Sequence, residues 1–443
     1  VGSRQPASVH ALACAINFAL GNAGRTVSYV APLDAEESDG FDDIKSLSAA
    51  MTAGQVQTLV ILGGNPVYDA PADVKFKDAL AKVPTSICAS GYLDETSELC
   101  TWHVPRAHEL ETWGDQVASS GHYAVQQPLI APLFGGLSDV ELLARLAGEP
   151  DTSGHGIVRA TAAARGITDE LKWSTLLQKG VAEVSDAQLL GAMPVQDQAV
   201  ADAVRSIAAP NAGGQGTFEV VFLPDHRMLD GRHANNSWLL ELPDPISRIT
   251  WDNAALFAPS TAKSLGIANG DMVRLSVGGA SIDIVAWMQP GQDKASIALP
   301  LGWVRTKAGK NALGAGFDVY PLRTSAAPHF VSGVTVEKLG KSYPISQTQD
   351  HDSMEGRPIA IDASLAEYQA EPEFTQWKSP DPEAAPLWKT VDYSEGHQWG
   401  MVIDLNTCIG CSACVVACQS ENNVPTVGKD QVARGREMHW LLI

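Results

Sequence analysis

Four cysteines close to the end of the chain carry the clearest chemistry. Cys408, Cys411, Cys414 and Cys418 stand in the run TCIGCSACVVACQSENN, spaced C-x2-C-x2-C-x3-C. A cube of iron and sulfide needs several thiolates converging on one small object, and this spacing is one that holds [4Fe–4S] clusters. Two-residue gaps let a loop wrap the cluster with its amide N–H groups turned toward the sulfides, and Gly410 eases the tight turn. The wider last step, through Val415, Val416 and Ala417, reads as the start of a short apolar helix. Structural zinc usually takes two C-x2-C pairs, or one pair and two histidines, roughly a dozen residues or more apart. Here all four cysteines fall between 408 and 418, and no second pair follows. Neighbours so close cannot form unstrained bridges either, so a disulfide framework fits poorly. We read the four as ligands to iron–sulfur chemistry. One departure is that the fourth cysteine is commonly followed by proline, where this chain has Gln419.

The remaining chemistry is thinner. Cys14 lies in a helical pattern within AlaCysAlaIle and is expected to be core. Cys88 and Cys100 could pair, which spacing cannot show. Within Leu99 to Gly114, His103, His108 and Glu111 have metal-ligand types, but H-x4-H-x2-E is not the H-E-x-x-H of a zinc protease. These three are expected to satisfy one another and the backbone. Gly63-Gly64-Asn65-Pro66 ends an apolar run, yet it is not G-x-G-x-x-G and no P-loop lysine follows. It can be a tight turn closing a core strand or a cofactor contact. No residue emerges as a catalytic acid, base or nucleophile.

The elements that must position these residues come in blocks. Residues 1–150 alternate helix and strand. Helical patterns run over His10 to Leu20 (closed by Gly21-Asn22), Ile44 to Ala53 and Val74 to Ala81. Strand patterns run over Thr26 to Val30, Thr58 to Leu62 and Thr85 to Cys88. Continuous apolar strands separated by helices predict an α/β, Rossmann-like parallel sheet, which takes ligands at the carboxyl ends of its strands. Residues 151–213 form a helical connecting segment, with helices over Thr168 to Gln178 and Asp197 to Ala208. In 214–335 the pattern shortens to Phe218–Leu223, Met272–Val277, Ser281–Trp287 and Ala295–Leu299, divided by turns such as Asn269-Gly270 and Gly278-Gly279. That spacing predicts a small β-barrel, with Trp238, Trp251, Trp287 and Trp303 as core and rim packing. Residues 336–398 read as a linker, rich in acidic residues and in Pro344, Pro358, Pro372, Pro380, Pro382 and Pro386. Trp399 to Asp404 then reads as the first strand of the cluster module, 399–443.

Composition sets outer bounds. The chain has 443 residues, 45% of them hydrophobic, ample for packed cores. Its 31 basic and 51 acidic residues give a net charge of −20, which argues against a nucleic-acid surface. No apolar run approaches the roughly 20 residues that span a bilayer. Val1 falls inside a helix-like pattern and His439 to Ile443 reads as an interrupted strand, so we expect a piece of a longer protein whose leader is out of view.

The order of parts resembles a fusion of a molybdopterin-oxidoreductase-like domain with a ferredoxin-type domain. Leu59 to Pro66, then His103-Val104-Pro105 with Glu111 and Gly114, resemble the third domain of that superfamily. Asn235 to Pro243, Thr250 to Ala255 and Leu265 to Asp271 resemble its C-terminal barrel, implying a double-psi type. Glu421-Asn422-Asn423-Val424-Pro425 resembles the electron-transfer subunits of such enzymes. The arrangement is similar to the large iron–sulfur subunit of alternative complex III, a membrane complex that oxidises quinol. That resemblance implies [4Fe–4S] clusters with further ligands outside this chain. Cys408, Cys411 and Cys414 would hold one cluster and Cys418 would contribute to a neighbouring one. It implies a barrel and α/β part without molybdopterin, in line with Gly114-Asp115 where the superfamily reads Gly-Thr. It also implies membrane quinol-oxidising subunits and c-type haem subunits as partners, on the outer (periplasmic) face of the cytoplasmic membrane. Two alternatives stay open: a fragment of a catalytic molybdopterin oxidoreductase, and a non-redox scaffold.

Overall fold

Thr58 to Leu62, an unbroken apolar run, is the first strand of a three-stranded parallel sheet with Thr85–Ser90 and Trp102–Pro105. The register sets Thr58 opposite Thr85 and Ile87 opposite Trp102. The helices Gly40–Thr52 and Phe76–Leu80 supply Met51, Phe76, Ala79 and Leu80, which bury with Leu59 and Val83. Each large apolar side chain among them contributes about 1.5–3 kcal/mol on burial. The mixed α/β character expected for this region is therefore present. In this computed structural model, residues 1–441 are described except 3, 32–39, 119, 184–188, 191–194, 207–215, 349–352, 354, 359–360, 379–386, 388–391 and 393. The chain divides into a first unit (1–241 with 251–345) and a second (242–250 with 346–443).

Within the first unit, Gly114–Val117, His122–Gln126 and Val181–Glu183 make an antiparallel sheet, so a strand from the 151–213 segment completes a sheet begun before residue 150. Tyr123 and Val125 bury there against Val158, Ala162, Trp173 and Leu176 from the helices Gly154–Ala164 and Glu170–Lys179. The helix Asp197–Ser206 covers most of the one expected next; residues 207 and 208 lie outside the described ones.

The barrel is closed and six-stranded. Around it run Ala255–Phe257, Ala280–Met288, Asp271–Val277, Phe330–Ser342, Thr217–Leu223 and Ser296–Pro300. Two pairings are parallel, Ala255–Phe257 with Ala280–Met288 and Ser296–Pro300 with Thr217–Leu223; the others are antiparallel. Val220, Phe222, Val273, Leu275, Ile284, Ile297, Leu299 and Val334 fill the interior, as inward alternation in a small barrel requires. Four of its strands match the sequence expectation. Ala255–Phe257 is too short to show a period, and Phe330–Ser342 is broken by a register shift between Val331 and Val334. That last strand carries the barrel past residue 335.

Trp303 and Trp251 are buried with their indole N–H groups donating to Asp225 Oδ2 (3.0 Å) and Glu241 Oε2 (3.2 Å). Trp287 is half-buried and Trp238 exposed. Cys14 corrects an expectation. It is exposed on the helix Ala7–Ala19, which buries no residue, so its apolar neighbours reflect composition rather than a core-facing stripe.

In the second unit Ile249–Thr250 pairs antiparallel with Ser346–Gln347. The expected linker contains two short helices, Leu365–Ala370, opened by a Ser364/Glu367 capping box, and Phe374–Lys378. Pro380, Pro382 and Pro386 lie outside the described residues. Trp399 to Asp404 is not a strand, and neither are residues 439–441; Leu442 and Ile443 lie outside the described residues. An alternating pattern becomes a strand only against a ladder partner, and among the described residues no β-ladder includes either segment. Among the described residues no helix is long and apolar enough to cross a membrane.

Candidate metal centre

Asp404 starts the cysteine loop. Its carbonyl accepts from Cys408 N–H (2.9 Å) and Thr407 N–H (3.1 Å), while its carboxylate accepts from Asn406 N–H (2.9 Å). That tight turn delivers Cys408. Two left-handed residues, Gly410 at φ 68° and Ser412 at φ 59°, then bend the chain around Cys411 into the helix Ala413–Glu421. Ser412 is buried, and its carbonyl accepts from Val415 and Val416 N–H at 3.0 and 3.1 Å. The helix opens with N–H groups that lack intrahelical acceptors and with the positive end of its dipole, both suited to an anionic cluster.

The helix ends in a Schellman motif. Asn423 takes φ 51°, Val424 N–H donates to Gln419 O (2.9 Å) and Asn423 N–H to Ser420 O (3.4 Å). The Asn422 carboxamide donates to Cys418 O (3.0 Å) and to Cys418 Sγ (3.4 Å). A donor to the sulfur of a ligand is one lever by which a protein tunes a cluster. Gln419, where proline is usual, is a buried residue of this helix, with its Nε2 3.0 Å from His439 Nε2. Proline there would lack the N–H that a helix interior needs.

Cys408, Cys411 and Cys414 are exposed and Cys418 is half-buried, all four as free thiols. Among the described residues no three His, Cys, Asp or Glu side chains converge as a metal site, these four included. The structure thus places the four on one loop and the helix it feeds without drawing their sulfurs together. The fit to an iron–sulfur cluster rests on the donor set: four unbridged thiols, a loop with two left-handed bends, and Asn422 on one ligand sulfur.

The other motifs resolve as structure. His103 Nε2 lies 3.1 Å from Ser90 Oγ. His108 Nδ1 accepts from Leu110 N–H (3.1 Å), and the Glu111 carboxylate accepts from His108 N–H (2.9 Å) and Leu133 N–H (3.2 Å). His108 and Glu111 satisfy each other and the backbone as expected, whereas His103 pairs with Ser90 rather than with either of them. Gly63 and Gly64 turn at φ 73° and 76°, with the Arg106 guanidinium over Gly63. Asn65 donates to Glu95 Oε2 (2.7 Å) and accepts from Thr96 Oγ1 (2.6 Å) and N–H (3.1 Å). Glu95 also receives Arg305 (Nη2, 2.7 Å) and the N–H groups of Thr306 (2.7 Å) and Lys307 (2.9 Å). Burial alone would raise this carboxyl, but the bonds from Arg305, Lys307 and Asn65 outweigh it and bring the pKa down to about 2. The carboxyl end of the parallel sheet is thereby tied to the barrel loop 303–307 by the protein's own side chains. Glu95 and Arg305 are too far apart in sequence for any local signal to find them, whereas Asn422 and Asn423 stand in a legible helix-stop position.

Residues 399–420 match the family model of a 4Fe-4S binding domain. The molybdopterin-binding-like subunit of menaquinone reductase from Nitratidesulfovibrio vulgaris is 25% identical over 315 residues, covering 66% of this chain and 43% of that one. The iron-sulfur cluster-binding subunit of menaquinone reductase from the same organism is 48% identical over 46 residues, 10% of this chain and 18% of that one. Together these matches support a molybdopterin oxidoreductase-like iron–sulfur protein. Acetylene hydratase from Pelobacter acetylenicus shares the fold, with a TM-score of 0.51 at 14% identity over 67% of this chain and 46% of that one. The chain spans less than half the length of each of these proteins.

Proposed function

We propose that the chain is an iron–sulfur electron-transfer subunit of a membrane-associated respiratory complex that oxidises quinol. The observation that carries this reading is continuity. One polypeptide holds likenesses to two separate subunits of one complex, the molybdopterin-binding-like and the iron-sulfur subunits of a menaquinone reductase. Cys408, Cys411 and Cys414 hold one [4Fe–4S] cluster and Cys418 contributes to a neighbouring one; the clusters supply one-electron transfer. The chain's own residues orient the loop, place Asn422 on a ligand sulfur and exclude water with Val415 and Val424. The α/β part and the barrel, of double-psi type, act as scaffold. The Asn65–Glu95–Arg305 ties at the strand ends support that role. Electrons pass to c-type haem subunits or a terminal oxidase, and the chain sits at the periplasmic face of the membrane beside quinol-oxidising subunits.

A second reading, in which electrons flow toward quinone, is favoured by the activity for which both menaquinone reductase relatives are named. Iron and molybdenum content of the native complex, with the spectrum of its clusters after adding menaquinol or menaquinone, tests both. Iron without molybdenum and clusters reduced by menaquinol supports the proposal. Clusters oxidised by menaquinone and inert to menaquinol supports the second reading. Stoichiometric molybdenum makes the chain part of a catalytic molybdopterin oxidoreductase and overturns both.

A further inference from the structure

Cys418 and Asn422 stand one turn apart, the first in the helix Ala413–Glu421 and the second at its C-cap. Helical side chains lean back toward the N-terminus, so a residue at i+4 lies over residue i. As the helix closes, Asn422 N–H donates to Cys418 O at 3.0 Å. The carboxamide Nδ2 donates to the same carbonyl at 3.0 Å and to Cys418 Sγ at 3.4 Å. An amide NH2 carries two hydrogens, so one serves the carbonyl and the other the sulfur. Asn422 is exposed, and what fixes its carboxamide is this backbone anchor rather than packing. The anchor belongs to the same residue as the sulfur, which keeps donor and ligand together.

We propose, resting on the iron–sulfur reading of the loop, that Asn422 raises the reduction potential of the [4Fe–4S] cluster that takes Cys418. The cluster of Cys408, Cys411 and Cys414 keeps its own potential. Reduction adds one electron to the cluster, with no bond made or broken, and increases the negative charge shared by its ligand sulfurs. Hydrogen bonds to an ionised acceptor are the stronger ones, so a donor already in place stabilises the reduced form more than the oxidised one. Bonds of this kind to the sulfurs are among the terms that set a cluster's potential. Asn422 acts through Cys418 as a positioning residue, and it neither ligates iron nor carries the electron. Because it touches one ligand sulfur, the effect falls on one cluster. A gap of this sign makes transfer from the cluster of Cys408, Cys411 and Cys414 to that of Cys418 more favourable.

The test is a redox titration of the native complex, poised with dithionite and mediators and followed by the electron paramagnetic resonance of each reduced cluster. Asn422→Ser keeps a hydroxyl that bonds the carbonyl four residues back, but it has no second hydrogen for the sulfur. Asn422→Leu removes both contacts. In each variant one cluster should show a reduced-to-oxidised ratio about tenfold below the parent's at the same poise, which is about 59 mV for a one-electron couple. The other clusters should keep the parent's ratio. Cys418→Ser changes a ligand of the affected cluster, so the signal it alters should be the one that shifts. Parent ratios in Asn422→Ser beside a shift in Asn422→Leu would overturn the proposal, because the carbonyl contact alone would then matter. So would parent ratios in both variants, an equal shift in every cluster, or loss of the cluster's iron in both, which would make Asn422 structural. A parent complex without iron would overturn the iron–sulfur reading itself, and the proposal with it.

Discussion

Glu95 is a buried carboxylate whose every oxygen is used. Arg305, Lys307 and Asn65 hold its pKa down at about 2, against about 4.3 for an unperturbed glutamate. The folded value is the lower one, so its contribution is present above about pH 4.5 and is lost as pH falls toward 2. Removing one partner of such a pair leaves the other charge buried and costs about 3–5 kcal/mol. Glu95→Ala and Arg305→Ala should each lower the unfolding free energy measured in urea by that amount, while the double variant Glu95→Ala with Arg305→Ala should lose clearly less than the sum of the two. Additive single effects in the double variant would show that the two residues do not act as a pair. Asp69 has the opposite sign. Burial, then the Asp230 carboxylate, push its pKa up to about 7 against the pull of Arg323. Its folded value lies above the ordinary one, so the stability that Asp69 contributes is present at acid pH and is lost as pH rises toward and through 7. Asp69→Asn should therefore raise the thermal midpoint clearly at pH 8 and much less at pH 5. An equal gain at both pH values would mean the carboxyl is not perturbed in the fold.

At the scale of elements, what the sequence made legible follows from which interactions are local. Thr58–Leu62 and Thr85–Ser90 were readable because parallel strands are buried on both faces and appear as unbroken apolar runs. The four barrel strands with clear alternation were readable for the same local reason. Ala255–Phe257 and Phe330–Ser342 were not, because the first is held only by its neighbours and the second carries a register shift. Trp399 to Asp404 shows the converse, a strand-like pattern that forms no ladder. In the cluster module the cysteines and the helix were readable, whereas the contact of Gln419 with His439 was not, since nothing local joins residues so separated. The Schellman cap depends on Asn423 at φ 51°. Asparagine tolerates that conformation and alanine does not, at about 1–2 kcal/mol. Asn423→Ala should lower the thermal midpoint of the second unit and the iron retained on purification, whereas Asn423→Gly should match the parent. If alanine and glycine behave alike, the left-handed cap is not what fixes the Cys418 turn.

At the scale of the whole chain, the two units differ in what stabilises them. The first has several buried apolar clusters, the barrel interior foremost. Among the described residues of the second, the buried apolar side chains are Leu242, Ile249, Val415, Val424 and Val432. So small an apolar core gives little hydrophobic stabilisation against chain entropy, and a region of this kind usually depends on a metal or a partner. Ligand binding to the folded form alone stabilises it, and metal sites do this strongly because no preformed site exists in the unfolded chain. The iron-loaded chain should therefore show two calorimetric transitions. Stripping the iron with a chelator under oxidising conditions should lower or abolish the one assigned to the second unit, and leave the barrel transition within about 1 °C. Hydrogen exchange assigns them, with amides of Ala413–Glu421 losing protection on iron removal and those of Thr217–Leu223 keeping it. A single transition that moves as a whole would mean the units fold together. An unchanged lower transition would mean that Cys408, Cys411, Cys414 and Cys418 hold no group on which their own unit depends, which leaves the zinc and iron readings of the loop equally without support.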